Sequence, residues 1–195
     1  MTHIYLVRHA EAEGNLYRIA QGQGNSNLTD RGWRQVQALE RRFADIQIDA
    51  VYASDLYRTC ATASAIYKPK GLVLHCSREL REICVGVWEH RSWGEVYRRW
   101  PEEMEHFTNR PDLWHLEGAE APLEARGRVL AAIRKIAAQH TGETVAVFFS
   151  RLCAADAAFV LTGLFSGRTG PDTHGGQHSR LTAGGGGRCA ARGVP

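Results

Sequence analysis

Two adjacent residues near the start of the chain, Arg8 and His9, have side chains suited to chemistry on phosphate. They follow a short apolar run, so a buried strand would carry them to the rim of a sheet. There a neutral imidazole can attack phosphorus, and the neighbouring guanidinium offers several donors to phosphoryl oxygens. The pair therefore indicates phosphoryl transfer. The residue types alone leave a second interpretation open, a rim histidine beside a solvated arginine.

Five segments match, in order, the motifs of a known family. The segment 6–15 reads LVRHAEAEGN and resembles the opening signature of the histidine phosphatase superfamily, which has the phosphoglycerate-mutase-like fold. The later matches are NLTDRG at 27–32, YASDLYRT at 52–59, LREICVGVWE at 80–89 and EGAE at 117–120. Because the motifs recur in the expected order over residues 3 to about 149, the chain is identified as a member of this superfamily.

This resemblance implies roles for seven residues. His9 would be the nucleophile that forms a phosphohistidine, and Glu82 would be the general acid for the leaving oxygen and then the base for water. Arg8 and Arg58 would neutralise the phosphoryl oxygens. The remaining positions that line the family's site, and would contact substrate through backbone or amide groups, are Asn15, Gln21 and Gly22.

Two of these residues have ordinary structural interpretations that the residue types leave open. Arg58 could pair with Asp55 on the surface of a helix, because the two are three residues apart. Glu82 could be a loop carboxylate, since Glu79 and Glu89 lie near it in the chain. Glu82 stands out by its match to the family motif and not by its type.

No metal or cofactor is expected. His75, His106, His115 and His140 do not stand in pairs at HxH or HxxxH spacing with a third partner nearby. The 5 cysteines are odd in number and include no CxxC pair, which indicates reduced thiols. A dinucleotide site at Gly22 and Gly24 lacks the third glycine that such a loop requires.

The elements that must position these residues alternate along the chain. Apolar and β-branched runs predict strands at 2–7, 50–53, 72–75 and 144–149. Helices are predicted from a Thr29 cap to 44, from a Ser54 or Asp55 cap to 67, at 123–140, and as short pieces within 92–117. This alternation implies an α/β fold, a mainly parallel sheet flanked by helices, with ligands bound beyond the carboxyl ends of the strands.

Two groups of large residues carry more specific expectations. The spacing of Trp33, Val36, Leu39 and Phe43 predicts one buried helix face. The second group consists of Arg18, Trp88, Trp93, Tyr97 and Trp114. These residues could line the mouth of the pocket, where arginine and aromatic rings would suit a phosphorylated sugar, nucleotide or cofactor precursor. They could equally be core residues.

Length and charge exclude several classes of protein. A chain of 195 residues has the length of one domain, with or without an appendage. Five of the 24 Lys and Arg and two of the 21 Asp and Glu lie beyond residue 150, so residues 1–150 carry 19 of each and no basic excess for nucleic acid. No apolar run approaches the ~20 residues of a membrane span, and no secretory signal begins the chain, so a cytoplasmic location is expected.

The chain departs from the family after residue 149. The family has a second histidine there, in a Ser-His-Gly motif, whereas this chain reads Ser150-Arg151-Leu152. Lysine and glutamate also cease before this point, and ten of the 20 glycines lie at or after Gly163. Permitted codons read one base later give Ser-His-Gly and, further on, the Asp-Asn-Thr of the family's closing turn. A frameshift near residues 148–149 is therefore our hypothesis.

The predicted organisation follows from this departure. Residues 1–162 would form the histidine phosphatase-like domain, with a helix at 153–161, and residues 163–195 would be a disordered tail rich in Gly and Arg. The predicted function is hydrolysis of a small phosphate monoester, impaired by loss of the second histidine. The alternatives are a phosphoglycerate-type mutase, disfavoured by the short chain, and a catalytically dead module that binds phosphate esters.

Overall fold

Five β-strands form one sheet. The structure, a computed structural model, describes residues 1–150 and the backbone of residues 178–183. The strands are β1 (Thr2–Arg8), β2 (Ala50–Ala53), β3 (Leu74–Cys76), β4 (Thr144–Phe149) and β5 (His178–Ala183). Their order is β3-β2-β4-β1-β5, with the first four parallel and β5 antiparallel to β1. The predicted α/β class with a mainly parallel sheet is confirmed.

Helices cover both faces of this sheet. They are α1 (Glu13–Leu16), α2 (Asp30–Phe43), α3 (Tyr57–Tyr67), α4 (Trp93–Arg99), α5 (Pro101–Asn109) and α6 (Pro122–Gln139), with 3-10 turns at Arg78–Leu80 and Gly86–Trp88. Successive strand side chains point to opposite faces. Tyr5 and Val7 accordingly pack with residues of α2 and α3, whereas Ile4 and Leu6 pack with residues of α6. Burial on both faces explains why these strands read as continuous apolar runs.

A third core lies among the helices inserted between β3 and α6. It is built around Trp88 and Trp114, which are fully buried, together with Val96 of α4 and Met104 of α5. The Trp88 and Trp114 rings lie 5.6 Å apart. Both tryptophans are therefore core residues, and the alternative that they line the mouth of the pocket that contains His9 is wrong.

Two expectations about helices fail for identifiable reasons. Helix α3 begins at Tyr57 after Leu56, because the Ser54 hydroxyl bonds to Thr59 and the Asp55 carboxylate binds Arg81. Trp33 is 41% exposed, although Val36, Leu39 and Phe43 are buried as predicted. In the first turn of α2 it is Gly32, and not Trp33, that packs against the rest of the protein. A Cβ at Gly32 would lie 2.1 Å from the carbonyl oxygen of Glu11.

The edge strand β5 corrects part of the prediction for the tail. Residues 178–183 pair with β1 from Thr2 to Val7, so the expectation of disorder throughout 163–195 is wrong for these six residues. Strand pairing uses backbone N–H and C=O groups, which any sequence without proline supplies, and β1 offers them along its free edge. The predicted helix at 153–161 and the rest of the tail lie outside the described residues.

No helix within residues 1–150 is long and apolar enough to cross a membrane.

Candidate active site

The carboxyl ends of three parallel strands bring the site together. Arg8 ends β1 and His9 follows it, Arg58 lies in the first turn of the helix after β2, and Ser150 follows β4 directly. The His9 N–H donates to the carbonyl of Phe149 over 3.1 Å, which joins two of these strand ends. One cavity of about 670 Å³ is lined by all seven residues named from the sequence: Arg8, His9, Asn15, Gln21, Gly22, Arg58 and Glu82.

The His9 ring is held in one protonation state and one tautomer. Its Nδ1 lies 2.7 Å from the carbonyl oxygen of Ala10, and because a carbonyl only accepts, Nδ1 carries the proton and donates. Ala10 is fixed in turn by its N–H, which donates to the Thr62 hydroxyl. Burial, followed by the charges of Arg58 and Arg8, lowers the pKa of His9 to about 3, against the opposing Ala10 hydrogen bond. The ring is therefore neutral near pH 7, with the lone pair of Nε2 available to attack.

Arg58 is a buried cation with hydrogen-bonding capacity to spare. Only 1% of the residue is exposed, and its Nη atoms donate to the carbonyls of Gly24 over 2.7 Å and Gly22 over 2.9 Å. Its Nε is buried with no hydrogen-bond partner among the described residues. Burial lowers the pKa of Arg58, whereas Glu82 and Glu89 raise it, and an arginine stays charged at neutral pH. A buried, charged donor of this kind suits a phosphoryl oxygen.

The helix-surface interpretation of Arg58 is wrong. Asp55, the residue proposed to pair with it, instead receives two hydrogen bonds from Arg81, one of them 2.6 Å long. These bonds hold the pKa of the Asp55 carboxyl below its ordinary value. Arg58 is consequently left to face the cavity.

The loop at 21–24 packs too closely against Glu89 for a side chain at position 22. Gly22 has a φ of +48°, and a Cβ there would lie 2.2 Å from Oε1 of Glu89. That same oxygen accepts the N–H of Gln23 over 2.9 Å. Glu89 therefore holds the loop from one side while Arg58 holds its carbonyls from the other.

Two amide side chains in the cavity have their oxygens engaged. Oδ1 of Asn15 accepts the N–H of Ala12 over 3.0 Å, and Oε1 of Gln21 accepts the hydroxyl of Ser26. The amide N–H groups of Asn15 and Gln21 are thus the parts of these side chains that can donate to a phosphate.

Glu82 supplies a buried carboxylate to the same cavity. It is 9% exposed, and its Oε1 accepts the N–H of Ile83 over 3.0 Å. The segment before it is held by Arg128 of α6, which donates to the carbonyls of Glu79 over 2.9 Å and Arg81 over 3.1 Å. Arg128 is itself oriented by two hydrogen bonds to the Glu120 carboxylate. The carboxylate of Glu82 is therefore positioned by elements far apart in the chain.

Other lining residues could not be assigned from the motifs. Of the group expected at the pocket mouth, Arg18 and Trp93 line the cavity, whereas Tyr97 is 55% exposed and lies outside it. Six further lining residues were not predicted as site residues: Gly14, Ile19, Val85, Met104, Phe107 and Thr108. The spacing of 104 and 107 on one face of α5 is the single signal that could have pointed to two of them.

Comparison with known proteins finds a matching family and several relatives. Residues 4–154 match the model of the histidine phosphatase superfamily, branch 1. Phosphoserine phosphatase 1 of Hydrogenobacter thermophilus is 30% identical over 147 residues, which are 75% of this chain and 70% of that protein. The probable phosphoglycerate mutase GpmB of Salmonella choleraesuis is 34% identical over 136 residues, which are 68% of this chain and 62% of that protein.

A solved structure extends the likeness over the whole chain. Bacillus stearothermophilus YhfR matches with a TM-score of 0.86 and 25% identity, covering 100% of this chain and 96% of that one. The relatives include both phosphatases and phosphoglycerate-mutase-like proteins. On the extent of the family match and the identity to the first relative, this chain belongs to the histidine phosphatase superfamily, branch 1.

Proposed function

We propose that this protein hydrolyses monoesters of phosphate with small alcohols through a phosphohistidine on His9. The observation that carries the proposal is the state of that ring: it is neutral, its Nδ1 proton is committed to Ala10, and its Nε2 is unprotonated. Arg8 and Arg58 line the same cavity and supply the positive charge that a phosphoryl group requires.

In the first step Nε2 of His9 attacks phosphorus and the bond from phosphorus to the ester oxygen breaks. Glu82, protonated, gives its proton to the leaving oxygen, and the alcohol departs. The phosphorylated ring carries a positive charge, which the hydrogen bond from Nδ1 to the Ala10 carbonyl stabilises.

In the second step water attacks the phosphohistidine. The Glu82 carboxylate takes a proton from that water, the bond from Nε2 to phosphorus breaks, and inorganic phosphate is released. His9 returns to its neutral form and Glu82 to its protonated form, so that the cycle closes.

A mutase would use the same first step and return the phosphoryl group to another hydroxyl. We rank it second because the relative covered over 70% of its length is named a phosphatase, although another relative is named a probable phosphoglycerate mutase. The third candidate, a module that only binds phosphate esters, is motivated by the missing second histidine at position 151.

One experiment separates the three candidates. The protein is incubated with 4-nitrophenyl phosphate, released phosphate is measured, and the reaction is quenched to detect an acid-labile, base-stable adduct. We expect phosphate release and an adduct on the unmutated protein, and neither on His9→Ala. An adduct on His9→Ala would overturn the assignment of the nucleophile. Transfer to added phosphoglycerate in preference to water would favour a mutase, and ester binding without turnover would favour the binding module.

We further propose that turnover is slowed by the residue at position 151. Ser150 is 1% exposed and its hydroxyl lies 3.4 Å from Nη2 of Arg58. The chain therefore leaves β4 next to a residue that we propose binds the phosphoryl group. A residue misplaced there by about 1 Å can reduce the rate by ~10²-fold. An arginine carries charge but lacks the geometry of the imidazole that the family has at this position.

A further inference from the structure

We infer that the cavity holds the alcohol portion of the ester in an aromatic and apolar subsite, so that the preferred substrates are phosphate monoesters of uncharged alcohols with an aromatic or bulky apolar group. This inference rests on the proposed hydrolase activity. We call this subsite the leaving-group wall, and its members are Ile19, Val85, Trp93, Met104 and Phe107.

The leaving-group wall differs in chemistry from the residues around His9. The residues near the strand ends supply charges and amides, whereas the wall supplies aliphatic, thioether and aromatic surface. Trp93 and Phe107 are half-buried, so part of each ring remains open to the cavity. Ligand sites that bind apolar groups are lined in this way, with a few polar groups that fix the orientation.

The aromatic part of the wall is braced from behind. The rings of Trp93 and Phe107 stack with centroids 6.2 Å apart and an interplanar angle of 29°. Trp88, fully buried, packs nearly perpendicular to both rings, with its centroid 6.2 Å from that of Trp93 and 5.4 Å from that of Phe107. A flat surface fixed in this manner can receive a ring without first being ordered, which lowers the cost of binding.

The wall is also fixed relative to the phosphate loop. Ile19 bridges to Ser92, the Trp93 N–H donates to the carbonyl of Arg18 over 2.9 Å, and the Ala20 N–H donates to that of Arg91 over 2.8 Å. Gln21 and Gly22 follow immediately in the chain. An ester whose phosphoryl group meets His9 therefore places its alcohol portion against a surface of set position.

The charges of the described lining residues offer no separate partner to an ammonium group and only a weak one to an acidic alcohol. Glu82 is the one carboxylate among them, and it is committed to proton transfer, so an ammonium group finds no separate partner. Arg18 could pair with a carboxylate of the substrate, but Arg18 is exposed, and an ion pair that is open to water contributes little to binding. Burial of an aromatic ring of the substrate contributes more to binding, because the free energy of burial increases with the apolar area removed from water.

The test compares two alkyl esters whose leaving oxygens are equally basic, and adds two charged esters whose leaving oxygens are less basic, so that a lower rate with the charged esters does not come from a poorer leaving group. For the unmutated protein, kcat/KM is measured with 3-phenylpropyl phosphate, propyl phosphate, phosphoserine and 3-phosphoglycerate. We expect the phenylpropyl ester to exceed the propyl ester by about 10- to 100-fold, as burial of one ring implies. The two charged substrates should fall below the propyl ester.

Variants then assign the preference to the wall. Trp93→Ala and Phe107→Leu should each reduce the ratio of phenylpropyl to propyl kcat/KM by about tenfold, since both lose ring surface. Tyr97→Ala is the matched control, because Tyr97 is exposed on the same helix as Trp93 and lies outside the cavity, and it should keep the full ratio. Phe107→Leu keeps apolar bulk, so it decides the matter if Trp93→Ala fails to fold.

The failures are distinguishable. A ratio near one, or a preference for phosphoserine or 3-phosphoglycerate, would overturn this inference and leave the hydrolase intact. A ratio that survives in folded Phe107→Leu would overturn the assigned wall. If no ester releases phosphate and no adduct forms on His9, the proposed function itself fails.

Discussion

The buried His9 ring makes the stability of the folded protein depend on pH. Its pKa is about 3 when folded and about 6.5 when unfolded, so between these values the unfolded chain binds the extra proton. Stability is therefore lost as the pH falls below 6.5. We expect the free energy of unfolding to drop by about 2 kcal/mol more between pH 7 and pH 5 in the unmutated protein than in His9→Gln. Urea unfolding without phosphate measures this, and parallel declines would show that His9 does not remain neutral.

The contribution of Glu82 to the rate of hydrolysis should be larger for esters whose leaving oxygen must be protonated as it departs. We expect Glu82→Gln to slow hydrolysis by roughly 10²- to 10⁴-fold with alkyl esters and by much less with 4-nitrophenyl phosphate. The amide keeps an oxygen for the Ile83 N–H, so the loop should stay in place. Glu79→Gln, an exposed carboxylate three residues earlier, is the control. Equal losses with all leaving groups would mean that Glu82 is structural.

Among the elements, α6 acts on the site without lining it. Arg128 bonds the carbonyls that precede Glu82, so we expect Arg128→Ala to let the Glu82 segment shift and to slow alkyl-ester hydrolysis by about 10- to 100-fold. The loss with 4-nitrophenyl phosphate should be smaller, because that leaving group needs little protonation. Arg126→Ala, exposed on the same helix, should behave as the unmutated protein. A uniform loss that follows the melting temperature would contradict a positioning role.

Elements that bury a periodic apolar face were predictable from the sequence. Strand β1, helix α2 and helix α6 follow their hydrophobic patterns to within one or two residues. The start of α3 was not predictable, because its candidate cap Asp55 is taken by Arg81, which is distant in sequence. Strand β5 was not predictable either. It is a six-residue segment between glycine-rich stretches, and its pairing depends on the edge of β1 and not on a pattern in its own sequence.

At the scale of the whole molecule, our proposal makes the chain beyond β4 responsible for how much activity the site shows. We expect a variant with Ser-His-Gly restored after β4, followed by the sequence of the shifted frame, to be at least about 10²-fold more active than this chain. Kinetics of the two purified proteins, with their melting temperatures, measure the difference. Comparable values would show that the present C-terminal segment is a functional variation.

The frameshift behind that comparison has its own test. Resequencing the gene around the codons for residues 148–149 should reveal a one-base change. Codons that fail to give His-Gly in the next frame would remove the hypothesis, whatever the kinetics show.

The two halves of the site differ in how far sequence could anticipate them. The phosphate half follows from local motifs, because Arg8 and His9 are carried by one strand end and Arg58 by the next helix. The leaving-group wall depends on how α4 and α5 fold back over the loop after β1, and no short motif encodes that packing. Met104 and Phe107 could be seen as one helix face, but not as the lining of a cavity.

The short backbone ladder between residues 18–20 and 90–93 has a consequence for divergence of this protein. Because it joins the loop at 21–24 to the helix that carries Trp93, a change in chain length on either side would move both together. Exchanges of side chain at positions 93 and 107 leave that ladder untouched. New ester preferences are thus accessible by point substitution, whereas insertions or deletions near the ladder would abolish the reaction along with the preference.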